Sequence, residues 1–302
     1  MKKNGKPTRK LQKKNVSKNI FIVSMLFIPI ASWLIFWLYV NLDMILMAFK
    51  DPVGKFTLEN FKTFWIELTE PGGTIGVSVR NTFLYFVINV FLLMPSGTLI
   101  AYFLYKKIKW YKFIRFMLFL PGMIPIMVMV TSFKEFIKPW GPIAALGANI
   151  PESGLLANEK TATATVMLYV IWTGLASGML LMNGAMARIP ISVFEAARLE
   201  GCPPFKEFTQ LVIPLIMPTL SMNMIFACTG LFAASGPILL MTGGAYGTST
   251  LSYWIFITTV NGSTSTGAYN IVSATGLVFT CIALPLILLV KFLSEKIEVV
   301  EY

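Results

Sequence analysis

The chain alternates long apolar runs with short polar stretches, and the runs set the architecture. Six of them reach about 20 residues: roughly 20–41, 82–105, 113–133, 163–184, 211–237 and 271–293. About 20 apolar residues in helix cross a ~30 Å hydrocarbon core. None of the runs alternates as a barrel strand does, and helix is then the remaining way to satisfy backbone groups in lipid. The pattern predicts an all-α, polytopic membrane protein with six transmembrane helices. The first run, "IFIVSMLFIPIASWLIFWLYV", has bulky aromatics and no small-residue cleavage site after it, so it reads as a retained helix rather than a signal peptide.

Composition agrees, with 13% charged residues against roughly a quarter in soluble domains. A net charge of +11 raises the question of nucleic acid, but the charges are sorted by loop. Residues 1–18 hold eight Lys/Arg and no acid, and 106–115 hold five and no acid. Stretch 50–80 carries four of each sign, and 134–160 three of each. Basic loops stay cytoplasmic. The N-terminus, the 106–112 loop, the 185–210 loop and the C-terminal tail are therefore placed inside, and 50–80, 134–162 and 238–270 outside. Residues 1–19 read as a disordered basic tail touching anionic lipid, and 20–302 as the transmembrane domain. No nucleic-acid partner is expected.

Candidate chemistry narrows the field further. Cys202, Cys228 and Cys281 are far apart and the chain has no histidine. A disulfide framework, a metal site and His-based catalysis are disfavoured together. The glycine-rich "GGAYGTST" lacks the lysine of a phosphate-cradling loop, so no bound nucleotide or other cofactor is expected. With no paired intramembrane carboxylates or nucleophile–base arrangement, a membrane-embedded enzyme has little support.

One polar stretch stands apart. "SVFEAARLEGCPPFKEF", residues 192–208, carries five charges. At the bilayer centre these would cost roughly 12–18 kcal/mol, which places the stretch in cytoplasmic water. Ser192 with Glu195 reads as a capping box, Gly201 as a helix-ending glycine, and Pro203-Pro204 as a stop. The resulting helix, Val193 to Glu200, is marginal alone and needs a surface. Resting on lipid and docking on a protein both satisfy that need, and the small pair Ala196-Ala197 favours close approach by a partner.

The residues "EAARLEGCPPFKEFTQLVIPLIMP" resemble the EAA loop of permease subunits of binding-protein-dependent ABC importers. Glu195-Ala196-Ala197, Gly201 and Val212-Ile213-Pro214 carry the likeness. Glu200 stands where the family commonly has Asp, and the Pro203-Pro204 pair is less usual. "VIWTGLASGMLLMNGAMARIPISVFEAA", "LMTGGAYGTSTLSYWIF" and "GAYNIVSATG" are similar to the carbohydrate-uptake branch. The resemblance implies the type I ABC importer permease fold, with both termini cytoplasmic, in the cell membrane. It makes 185–210 the EAA coupling loop and its helix, Val193 to Glu200, the coupling helix, with Ser192, Phe194, Glu195, Ala196, Ala197, Glu200 and Gly201 at a groove of a separate ATPase. It further implies two ATP-binding subunits that use ATP and Mg, a second permease of a different chain, and an extracytoplasmic binding protein delivering a sugar or polyol. ATP-driven closure would switch the pathway between outward- and inward-facing states.

For the pathway itself, Tyr169, Thr173 and Ser177 recur every fourth residue, with Trp172 beside them. Asn223, Thr229 and Ser235 are similar candidates in the next run. Uncharged hydroxyls and aromatic faces suit a neutral sugar better than an ion. Interhelical bonding is the competing role, supported by Gly174-x-x-x-Gly178. An ion-coupled transporter or channel is the alternative class, but no acid, base or histidine lies mid-helix to serve it.

Overall fold

Lipid offers no partner to a backbone amide, and the chain answers almost everywhere with helix. The computed structural model describes residues 9–230, 236–262 and 267–296. The spans are α1 (Phe21–Ala48), α3 (Thr74–Tyr105), α6 (Ala162–Met186), α8 (Pro204–Gly230) and α10 (Ala268–Ser294). Between α1 and α3 lies the outer helix α2 (Glu59–Thr69). The remaining predicted span is two helices, α4 (Tyr111–Met123) and α5 (Ile126–Phe136), meeting at 105°. The short helix α7 (Ile191–Leu199) links α6 to α8, and α9 (Leu251–Asn261) lies in the segment predicted as an outside loop.

Four expectations change, each for a local reason. The single span 113–133 is broken because Ile124 precedes Pro125 and is driven extended, with φ −88° and ψ 137°. The run 211–237 begins earlier, at Pro204, since proline is favoured in a helix's first turn and starts this one instead of only stopping the last. Helix α3 starts before residue 82 because the loop carbonyls bonded by Asn81 let a polar residue stay buried in it. The basic tail is helical from Arg9, where disorder was expected. Lys, Arg and Gln are good helix formers once the adjoining span supplies the nucleus.

Packing is tightest where α3 meets α6. An ideal Cβ on Gly97 of α3 would sit 3.5 Å from the Met179 amide nitrogen and 3.7 Å from the Gly178 carbonyl carbon. One on Gly174 would reach 2.8 Å from Leu93 Cδ1. The Gly174-x-x-x-Gly178 helix is thus a close-packing surface, with Gly97 as its opposite number. Gly97→Ala is expected to be nearly neutral. Gly97→Leu forces the backbones apart and should destabilise by about 1–3 kcal/mol, the usual penalty of overpacking. Thermal unfolding of the purified chain in detergent distinguishes the two.

Side-chain amides close the outer end of α1. Asn60 of α2 donates to the carbonyls of Ala48 (2.9 Å) and Lys50 (2.8 Å). Asn270 of α10 donates to Met47 (3.2 Å) and to the same Lys50 oxygen (2.7 Å). Carbonyls left over at the helix end are thereby satisfied from two other elements. The glycine-rich outer loop is pinned in the same way. Asn81 donates to the carbonyls of Gly247 (2.7 Å) and Ser249 (2.8 Å), and Thr163 donates to Gly247 (3.1 Å). Gly243, Gly244 and Gly247 supply its left-handed turns, at φ +61°, +77° and +68°.

Candidate coupling surface and membrane cavity

Helix α7 begins differently from its sequence signals. Pro190 occupies the cap position at φ −59°, ψ 138°, and no side chain bonds the first turn. Ser192 lies inside the helix and exposed, so the Ser192–Glu195 capping box is not formed. Proline's fixed φ and extended ψ already set the entry two residues earlier. The other end matches its signals, one residue sooner than expected, with Glu200 as the cap. Gly201 is left-handed at φ +68°; its amide donates to Arg198 (3.1 Å) and that of Cys202 to Ala197 (2.9 Å). This is a Schellman closure.

The helix is seated on its own chain by one face. Phe194 and Ala197 are buried, and the Phe194 ring lies 5.3 Å from that of Tyr105 at the cytoplasmic end of α3. These two residues, expected at a partner's groove, instead hold α7 to the bundle. They sit three apart on one face of the helix, as a helical stripe requires. The opposite face is open: Ser192, Glu195 and Ala196 are exposed and Leu199 is 90% exposed; at the two ends Ile191, 71% exposed, and Glu200 are open as well. Leu199 counts in the sequence only as part of the apolar surface that makes the helix need a partner, and Ile191 was missed.

Not all five charges of this stretch reach water. Glu207 is 2% exposed, in the first position of a π-helical stretch, Glu207–Val212. Its carboxylate takes Lys106 Nζ at 2.7 Å and the Tyr102 hydroxyl at 3.2 Å. A buried carboxylate is tolerated when paired and hydrogen-bonded, and this one is both.

Of the expected pathway residues, Asn223 is placed at a cavity. A 230 Å³ cavity is lined by Asn89, Leu93, Gly174, Gly178, Asn223 and Phe226 among others, and its lining is uncharged. Asn89 stands at the middle of α3, and Asn223 about three-quarters of the way along α8. Asn89 opens the π-helical stretch Asn89–Leu93, a kind of distortion that recurs at functional sites. Asn89 was missed, although a carboxamide in mid-span is itself a signal.

The remaining candidates lie elsewhere. Tyr169 is buried with its ring 5.1 Å from Phe133, and Trp172 stacks on Phe133 at 6.3 Å. Thr173 donates to the Tyr169 carbonyl (3.0 Å) and Thr229 to that of Phe226 (2.9 Å), so both hydroxyls are satisfied within their own helices. The Ser177 side chain and all of Ser235 fall outside the described residues.

The family of binding-protein-dependent transport system inner membrane components matches residues 78–299. The chain belongs to this family. It is therefore a multi-pass permease subunit of the cell membrane, with the all-α ABC importer permease fold.

Among similar proteins is the multiple sugar-binding transport system permease MsmF of Streptococcus mutans. It is 28% identical over 206 residues, covering 67% of this chain and 70% of that one. The lactose transport system permease LacF of Rhizobium radiobacter is 25% identical over 251 residues, covering 80% of each. In fold, the permease is similar to a chain of a bacterial ABC transporter involved in alginate import. The TM-score is 0.79 at 20% identity, over 95% of this chain and 99% of that chain. The family match, residues 78–299, takes in α7 and, in whole or nearly whole, every span except α1.

Proposed function

We propose that this permease forms half of the pathway of an ATP-driven importer of a carbohydrate or related polyol. The observation that carries the reading is α7: a helix held to the bundle by Phe194 and Ala197 that turns Glu195, Ala196 and Leu199 outward on the cytoplasmic side. A helix so placed is a handle for an ATPase subunit, and two such subunits, using ATP and Mg, would grip this handle and that of a second permease. Closure of the ATPase dimer would pull on α7 and, through it, on α3 and α8. A binding protein outside the cell would supply the substrate to the outer loops.

Two features support a neutral polyhydroxylated substrate. The names of the relatives refer to sugars. The cavity presents carboxamides, which donate and accept toward hydroxyls, and carries no charge for an ion. At 230 Å³ it is smaller than the ~300–1,000 Å³ of a complete ligand cleft. That fits a half-site completed by the second permease, for which a homologous but different chain is favoured.

The test is uptake of labelled oligosaccharides into proteoliposomes holding the purified assembly. Uptake is expected to need ATP and the binding protein. Asn223→Leu should lower it at least tenfold, about 1.4 kcal/mol, with hydrolysis retained. Flux that proceeds without ATP, or carries ions, would overturn the reading in favour of a secondary transporter or channel.

A further inference from the structure

Loop 106–110 and the segment 203–208 are about a hundred residues apart in sequence, and each meets water at the cytoplasmic face. Yet their most polar contact is turned inward. Glu207 is 2% exposed, and its two oxygens meet Lys106 Nζ at 2.5 and 2.7 Å. Tyr102 divides its hydroxyl hydrogen between Glu207 Oε1 and the Pro204 carbonyl, both at 3.2 Å. The Lys106 ammonium also lies 5.6 Å from the centre of the Phe194 ring and 5.7 Å from that of Tyr102. Phe194 is the residue that seats α7. A single cation therefore touches the end of α3, the root of α8 and the anchor of α7 together.

A merely stabilising contact has no need of such groups. Buried ion pairs are poor sources of stability, because desolvation offsets most of their attraction; in some proteins what they confer is one defined arrangement in place of several. Apolar packing alone would let α7 slide on α3. The chain around Lys106 is also held in an unusual path, with Lys107 and Trp110 left-handed at φ +52° and +68°. Non-glycine residues adopt that conformation only where the surroundings insist on it.

We propose that Glu207, clamped by Lys106 and Tyr102, is a positioning residue that makes α7, the end of α3 and the root of α8 move as one body when the ATPase pulls. The coupling part of this proposal rests on the function argued above; the clamp itself does not. Removing the clamp should leave the exposed face of α7 intact. The ATPase then still docks and turns over, but its motion is dissipated before it reaches the spans.

Two measurements separate these parts. In the full chain in nanodiscs, Glu207→Gln should speed hydrogen exchange of the α7 amides at least tenfold and leave those of α9 unchanged. Equal exchange in variant and parent overturns the clamp. In the reconstituted assembly, Glu207→Gln and Lys106→Met should each raise the ATP hydrolysed per sugar imported at least tenfold. The exchanged pair Lys106→Glu with Glu207→Lys should return that ratio to within threefold of the parent. Unchanged stoichiometry, or hydrolysis and import falling in proportion, overturns the positioning role. If Glu207→Gln does not assemble, Tyr102→Phe removes one hydroxyl from the same clamp and is read by the same two criteria. A parent assembly without ATP-driven import would overturn the proposed function, and hydrogen exchange would still decide the clamp.

Discussion

Leu199→Asp is expected to abolish ATP-driven import while the chain remains folded and inserted. Leu199 is 90% exposed, at the end of α7 and on the face away from the bundle. Within the chain it has little to lose, and substitutions at such positions usually change stability by less than about 0.5 kcal/mol. At a docked interface the balance reverses. A buried apolar anchor exchanged for an unpaired carboxylate behaves as a hot spot of at least about 2 kcal/mol, or roughly thirtyfold in affinity. Co-purification of the ATPase subunits with the tagged permease measures it directly. Phe194→Ala is the control with the opposite logic: it leaves the outer face unaltered but removes a buried ring, at about 3–5 kcal/mol. Normal ATPase recovery with Leu199→Asp would move the docking surface off α7.

Glu195→Ala follows the same reasoning. A capping box would give this carboxylate a role inside the helix, and its loss would then be ambiguous. Since Pro190 caps α7 and no side-chain cap bond forms there among the described residues, Glu195 does not serve as a capping-box partner. Glu195→Ala is therefore expected to lower transport at normal expression through the proposed partner contact, which reduced ATPase co-purification would register.

What the sequence made legible follows from the range of each signal. Apolar runs are properties of one segment against a bilayer, so five spans could be read directly. The end of α7 was equally local, because Gly201 can be left-handed and Pro203 cannot prolong a helix. Its start was misread because two local signals competed, and Pro190 won over Ser192. The break at Pro125 was written in "LPGMIP" but masked by unbroken hydropathy. The inward stripe of Phe194 and Ala197 was visible as helical spacing, though which face the bundle would take was not. The contacts between Lys106 and Glu207, and between Asn81 and Gly247, join residues too far apart for any local pattern. A polar residue inside an apolar run signals that a partner exists without saying where it lies.

Asn81→Leu is the second large effect, and it acts on the outer side. Asn81 is fully buried, and its amide supplies both hydrogen bonds that tie α3 to the carbonyls of Gly247 and Ser249. Leucine fills a similar volume but donates nothing. Gly247 keeps the Thr163 hydroxyl, at 3.1 Å; the Ser249 carbonyl loses its amide donor in a part-buried setting. Together these losses should cost about 2–4 kcal/mol. A chain of this size would show that as a fall of roughly 5–15 °C in unfolding midpoint. The damage should also be local. Leu251 N is capped by Thr82, one residue along α3 at 2.9 Å, so α9 loses its seat along with the loop. Protease cleavage within 243–249 should quicken well before the cytoplasmic half is attacked. Asn81→Asp sharpens the argument, because it keeps the shape while turning an oxygen toward both carbonyls. It is expected to be the worse of the two, and an aspartate variant as stable as the parent would show that these two hydrogen bonds do not hold the loop.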